Sequence, residues 1–321
     1  MRKQTKIWLI AATFLVLVGC LIFAGVMTAM KWDFTKLSTV KYETNQHEIG
    51  ENFSNVTLIT DTADVVFAPS ENGKTSIACY EQKKMKHSVS VQDDTLTIQL
   101  VDERKWYDYI GIFWTSPKIT VYLPEGTYGA FSLKSSTGDI EIPKDYQFAS
   151  MDISASTGEV KNFASVSEKM KIQTSTGCIH VENISAGMME LSVSTGKVTV
   201  TDVDCREDMT VRVSTGKASL TNVMCKNLIS DGDTGDMVLK NTIASEKISI
   251  ERSTGNIRFE GCDGGELTVE TSTGDIKGSL LSEKVIFAQS DTGRVEVPQS
   301  TTGGVCRLTT DTGNIQIEIT E

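Results

Sequence analysis

The sequence predicts an all-β protein: a parallel β-solenoid (β-helix) of about ten 19–20-residue coils, with an irregular N-terminal β cap, preceded by one transmembrane helix. Three observations predict it. Ser/Asp-Thr-Gly recurs ten times, placing glycines at Gly138, Gly158, Gly177, Gly196, Gly216, Gly235, Gly255, Gly274, Gly293 and Gly313, always 19 or 20 apart. Apolar residues recur at fixed offsets from each motif. A run of 24 residues without charge lies near the start. A short fixed period identifies a structure in which each unit stacks on the next.

Residues 1–6 carry Arg2, Lys3 and Lys6 and are expected to form a short cytoplasmic tail. Ile7–Met30 is the uncharged run; as a helix it extends about 36 Å, enough to span hydrocarbon with some tilt. Positive charge ahead of it and Lys31 and Lys36, diluted by Asp33, behind it favour an N-terminus in the cytoplasm. The expected localisation is therefore the cell membrane, single-pass, with the β domain outside. Two readings compete. A cleaved signal peptide has an apolar core of about 7–15 residues, shorter than this one. Leu17-Val18-Gly19-Cys20 resembles a lipobox, in which Cys20 would be lipidated. All three readings export the β domain.

Residues 31–49 read as a linker and residues 50–130 as the cap with a first coil. Val56, Leu58, Thr60, Ala63, Val65 and Phe67 fit the repeat offsets, with Ala63 where glycine belongs. Strand-like runs follow at 75–80, 88–91, 95–101 and 118–123. Such a cap protects the end of a solenoid. Residues 131–321 are the repeat domain. Six and four residues before each Thr lie columns such as Phe131, Met151, Met170 and Leu133, Ile153, Ile172; two after each Gly come Ile140, Val160 and Ile179. Alternation of this kind marks strands with one buried face. Two residues before the Thr the side chains are small, Arg252 excepted. Glycine permits a positive φ at the corner between strands, and Ser or Asp supports the turn. At the far end Ile315, Ile317 and Ile319 stop, with Glu318 and Glu321 as edge guards.

Chemistry is sparse. Asp-Thr-Gly at Asp233, Asp291 and Asp311 matches the aspartic-protease tripeptide, but seven repeats put Ser in that slot. On sequential coils Asp233 and Asp291 stand three coils apart, about 14 Å, too far to share a proton. Asp233, Asp236 and Asp275 flank turns, yet the residue after each glycine runs Asp, Glu, Cys, Lys, Lys, Asp, Asn, Asp, Arg, Asn, which is no calcium cage. His47, His87 and His180 have no Ser, Cys or carboxylate partner at a recognisable spacing and read as surface residues. No Cys/His spacing suggests a metal, no glycine-rich loop suggests a nucleotide, and no cofactor is expected. Cys205 and Cys225 fall at equivalent places on adjacent coils, compatible with a disulfide or with two stacked thiols. Net charge is −11, against a nucleic-acid partner. The one aromatic departure from the repeat is 106–114, with Trp106, Tyr107, Tyr109, Phe113 and Trp114, either a plug for the core or an exposed partner contact.

The leading anchor, the linker around Trp32-Asp33-Phe34, the irregular β start and ten Ser-Thr-Gly-Asp-Ile-like coils in phase together resemble a bacterial family. It is the family of β-strand-repeat domains of unknown function named "putative adhesin", found on cell-envelope proteins. The resemblance covers nearly everything after about Thr44. It implies a β-solenoid outside the cell membrane and no catalytic residues. The expected function is a non-enzymatic, adhesin-like binding or scaffolding surface, held to the membrane by the N-terminal helix and facing an unknown protein or cell-wall glycan. Some relatives are linked to envelope-stress operons, which implies an accessory or regulatory role as the alternative. A polysaccharide-acting enzyme is a third reading; it requires clustered carboxylates along a groove.

Overall fold

The computed structural model describes residues 3–33, 41–106 and 116–320. Its one helix in that range, Lys3–Ala29, has a stretch, Thr5–Ala29, long and apolar enough to cross a membrane. Thr13 and Thr28 return their hydroxyls to the carbonyls of Leu9 and Ala24, at 2.9 and 2.7 Å. Neither hydroxyl then needs water.

The remainder is β. The ten Thr-Gly coils stack in parallel and in register: Met151 lies over Phe131, Met170 over Met151, Met209 over Met189, Ile248 over Leu228 and Leu267 over Ile248. Side chains in these columns are almost fully buried and form one continuous core. No 19-residue coil encloses enough apolar surface to offset its own ordering entropy; only the stack does.

Seven strands precede the first motif: β1 (Tyr42–Ile49), β2 (Asn55–Ile59), β3 (Asp64–Pro69), β4 (Thr75–Gln82), β5 (Met85–Gln92), β6 (Thr95–Asp102) and β7 (Lys118–Leu123). β2 and β3 form a rung below the first motif coil, pairing Leu58 with Leu133 and Val65 with Ile140. Ala63 occupies the glycine slot there. β6 and β7 supply one rung more, against β2 and β3 respectively. The segment whose period looks broken in sequence therefore continues the stack. Its antiparallel partners, β4 on β7, β1 on β4 and β5 on β6, close that end. Phe67, Phe131, Tyr146 and Phe148 fill the core beside it with edge and stacked contacts between 5.1 and 6.4 Å.

The far end departs from the expected order. The strand Ile257–Thr273 pairs not with Lys284–Thr292, next in sequence, but with Gly304–Thr312: Leu267 faces Cys306 and Val269 faces Leu308. Gly304–Thr312 in turn pairs on its other side with Lys284–Thr292, Cys306 facing Ile286. The second strands agree, with Ile315 lying between Ile276 and Val295. The chain thus skips a place, lays down the outermost rung, then returns to fill the gap with its C-terminus. The physical reason lies in side chains. Cys306, Leu308, Ile315 and Ile317 become buried, whereas the outer rung carries Arg294, Glu296 and Pro298 and tolerates the edge better. Ile315, Ile317 and Ile319 are therefore not the end of the stack. Asp233 and Asp291 stand four rungs apart rather than three, with Ser253, Ser272 and Asp311 between them.

Candidate functional site

Two corners mark the stack, the first along most of its length and the second over five successive rungs. At the first, glycines take φ values such as +134° at Gly216 and +155° at Gly313. A Cβ on Gly216 would strike the carbonyl of Gly196 on the rung below, so here the rungs leave no room for a side chain. The residue after the glycine caps the next rung where it is Asp or Asn. Asp64 accepts from the Asp139 amide, Asp139 from Glu159, Asp236 from Asn256, Asn256 from Asp275, Asp275 from Asn314 and Asn314 from Arg294, at 2.7–3.0 Å. These carboxylates hold the backbone in place instead of converging on a cation.

The second corner carries Asn183, Asp202, Asn222 and Asn241 at φ between +48° and +55°, followed by Gly261 at +62°. Their side chains form a ladder: Asn222 donates to Asp202 at 2.7 Å and Asn241 to Asn222 at 2.9 Å. The sequence held the signal, Asn/Asp/Asn/Asn/Gly six places past successive glycines, but the Thr-Gly motif obscured it.

Across the outer face lies a shallow cleft of about 460 Å³, lined by Lys217, Asp236, Asn256, Arg258, Glu260, Asp275 and Lys277 among others. Here Asp236, Glu260 and Asp275 gather as a glycan-acting site requires. Asp275 is held below the usual carboxylate range by the Asn314 amide and by Lys277, whose Nζ donates to it at 2.7 Å. A glycosidase needs one carboxyl raised to act as an acid; Asp275 moves the other way.

The histidines are not the surface residues that their spacing implied. His87 is buried and its Nδ1 lies 2.7 Å from Glu81, which is itself buried. Its Nε2 lies 3.0 Å from the Thr60 hydroxyl. Thr60, His87 and Glu81 thus form a hydroxyl–imidazole–carboxylate chain, but it faces a cavity of only about 10 Å³, which admits no substrate. His180 pairs with Glu182 at 2.8 Å, and His47 is half-buried on β1. Cys205 and Cys225 are buried free thiols, pushed up by burial to about 11 and 12. Arg252, the large residue in the small column, is buried; Ser230, whose hydroxyl it meets at 2.9 Å, and Gly232 leave it room. Trp106 is 78% exposed. Tyr107, Tyr109, Phe113 and Trp114 lie outside the described residues.

The outermost rung is the least covered part of the stack. Among the described residues, Lys284–Thr292 has a partner strand on one side alone. Phe287 is 59% and Val295 39% exposed, and Ile286, Ala288 and Val297 are partly buried.

A membrane-crossing-length helix followed by a stacked parallel β-solenoid defines the class: a β-strand-repeat protein. The chain belongs to the Toastrack DUF4097 family, whose model matches residues 53–318. Solved structures similar to it include a "putative adhesin" from Bacteroides fragilis, 14% identical over 87% of this chain and 97% of that one, TM-score 0.40. A "putative adhesin" from Parabacteroides distasonis is 12% identical over 75% and 97%, TM-score 0.45. A "putative lipid binding protein" from the same species is 15% identical over 75% and 95%, TM-score 0.42. Similarity this shallow carries no functional residue across. No functionally curated protein matches the chain.

Proposed function

We propose that this protein is a non-enzymatic, membrane-anchored β-solenoid that presents a rigid surface to a partner outside the cytoplasm. One observation carries the reading: the stack is closed by antiparallel strands at the end nearest the helix in sequence and left open at the other. At that open end the strand Lys284–Thr292 offers unpaired backbone groups beside the exposed Phe287 and Val295. An extended segment of a partner protein fits such an edge by adding a strand, with pockets for alternate side chains giving specificity. The adhesin-like names of the similar structures agree with a binding role but add no residues to it.

Crosslinking the full chain in its own membranes tests this. Wild type should capture a protein partner, and Phe287→Glu with Val295→Glu should lower capture at least tenfold while leaving the circular dichroism spectrum unchanged. Undiminished capture by the double variant, or capture of wall glycan alone, would contradict the edge-pairing mechanism.

A further inference from the structure

Cys79, Glu81 and His87 come together inside the cap. Cys79 and Glu81 stand two apart on β4 and so share its inner face. The two-residue turn Lys83-Lys84 returns the chain through β5, with Gln82 facing Met85, and brings His87 back to the Glu81 carboxylate, which accepts from the His87 amide at 2.7 Å. One ligand-type atom from each of the three residues, the thiol sulfur, a carboxylate oxygen and a ring nitrogen, lies within 4.8 Å of the other two. All three are buried, at 0, 1 and 5% exposure.

We propose that Cys79, Glu81 and His87 form a structural site for a thiophilic divalent cation, zinc by the character of its donors. Thiolate, imidazole and carboxylate are the three ligand types zinc takes, and a three-ligand protein set leaves a fourth position for water. The cavity of about 10 Å³ beside Glu81 and His87 holds about one water. Both ligand side chains are already oriented from behind. Asn45 donates to the second Glu81 oxygen at 2.7 Å, and Thr60 meets His87 Nε2 at 3.0 Å. Outer partners of this kind fix ligand direction in metal sites.

The exchange balances. The cation replaces the proton between His87 Nδ1 and Glu81; the imidazole proton moves to Nε2, where Thr60 accepts it; the Cys79 thiol proton leaves to solvent. A dication with two anionic ligands makes a neutral buried centre, which removes the cost of an isolated charge. Coordination is what deprotonates a buried thiol of this kind. The nitrogen–oxygen separation of 2.7 Å has to open to about 3.4 Å for tetrahedral bonds near 2.1 Å, a small rotation of His87. The bound ion would staple β4 and β5 to β1 through Asn45 and to the first stacked rung through Thr60.

The test uses the detergent-solubilised full chain, stripped with chelator and then given Zn²⁺ or Co²⁺, both in the folded state and during refolding. One equivalent should bind, Zn²⁺ should raise the melting temperature, and Co²⁺ should give four-coordinate visible bands with a near-ultraviolet thiolate band. Cys79→Ser should abolish that band, His87→Ala should weaken binding at least tenfold, Thr60→Val should weaken it about tenfold, and Cys225→Ser should change nothing. Sub-stoichiometric uptake by wild type under both regimes would overturn the proposal, as would a Co²⁺ spectrum without a thiolate band. The wild-type spectrum decides the matter even where Cys79→Ser fails to fold.

Discussion

Asn222 holds φ +53°, a left-handed conformation that costs most L residues roughly 1–2 kcal/mol. Gly261 fills the equivalent corner natively. Asn222→Gly is therefore expected to change stability little, the relief of φ offsetting the loss of both ladder hydrogen bonds that Asn222 makes, to Asp202 and from Asn241. Asn222→Val, β-branched and without a ladder amide, should cost roughly 1–2 kcal/mol. Urea unfolding of the two variants checks this; equal stabilities would mean the corner is not under conformational control. The signal for this column lay in residue type and spacing, but it went unread beside the stronger Thr-Gly repeat. The Thr60–His87–Glu81 chain had no such signal. Its members meet only because β2, β4 and β5 converge in space, with 27 residues separating Thr60 from His87. The buried Arg252 was visible as an outlier, but its accommodation by Ser230 and Gly232 needed the register of the neighbouring rung.

The inserted C-terminal rung is gripped from both sides. Lys284, on the outer rung, stands opposite Gly304, where no side chain intervenes, and reaches across to Asp263 at 2.7 Å. Arg307, on the inserted rung, meets Glu266 at 3.4 Å on one side and lies 5.9 Å over the Phe287 ring on the other. Burial pushes the Asp263 carboxyl up, but hydrogen bonds from Lys284, Ser282 and the Gly264 amide outweigh it and hold the group below its ordinary value. A depressed carboxylate stabilises the fold above its unfolded pKa of about 3.9, and the contribution fades as pH falls through the lower folded value. Protection of the 304–312 amides, relative to their intrinsic exchange rates, should thus fall below about pH 4 in wild type. Asp263→Asn should show faster exchange at neutral pH and a flatter acid limb; an unchanged profile would remove the clamp from the account. The clamp was hidden in sequence because Lys284 and Asp263 follow each other closely along the chain yet reach across a rung that arrives later, and Arg307 comes from that later rung.

For the whole molecule, the repeat made the stack legible, since ten phased corners and two apolar columns admit few other packings. It could not give the order of the last two rungs. Lys284–Thr292 and Gly304–Thr312 carry the same offsets from their glycines, so either satisfies the slot above Leu267, and burial decides between them. The helix of membrane-crossing length was legible from its length and lack of charge alone. The full chain is expected to stay with membranes through alkaline carbonate washing, and a 41–321 fragment to remain soluble and folded; release of the full chain would show that the helix is not retained as an anchor. The most direct check of the stack is disulfide mapping. With Leu267→Cys, the native Cys306 sits one rung away, about 4.8 Å, within disulfide reach. With Leu267→Cys, Ile286→Cys and Cys306→Ala, the two cysteines are two rungs apart, about 9.6 Å, beyond it. Oxidation should link 267 to 306 rapidly and within one molecule, and should leave 267 and 286 unlinked. A ready 267–286 bridge in the otherwise intact chain, with none between 267 and 306, would contradict the inserted rung.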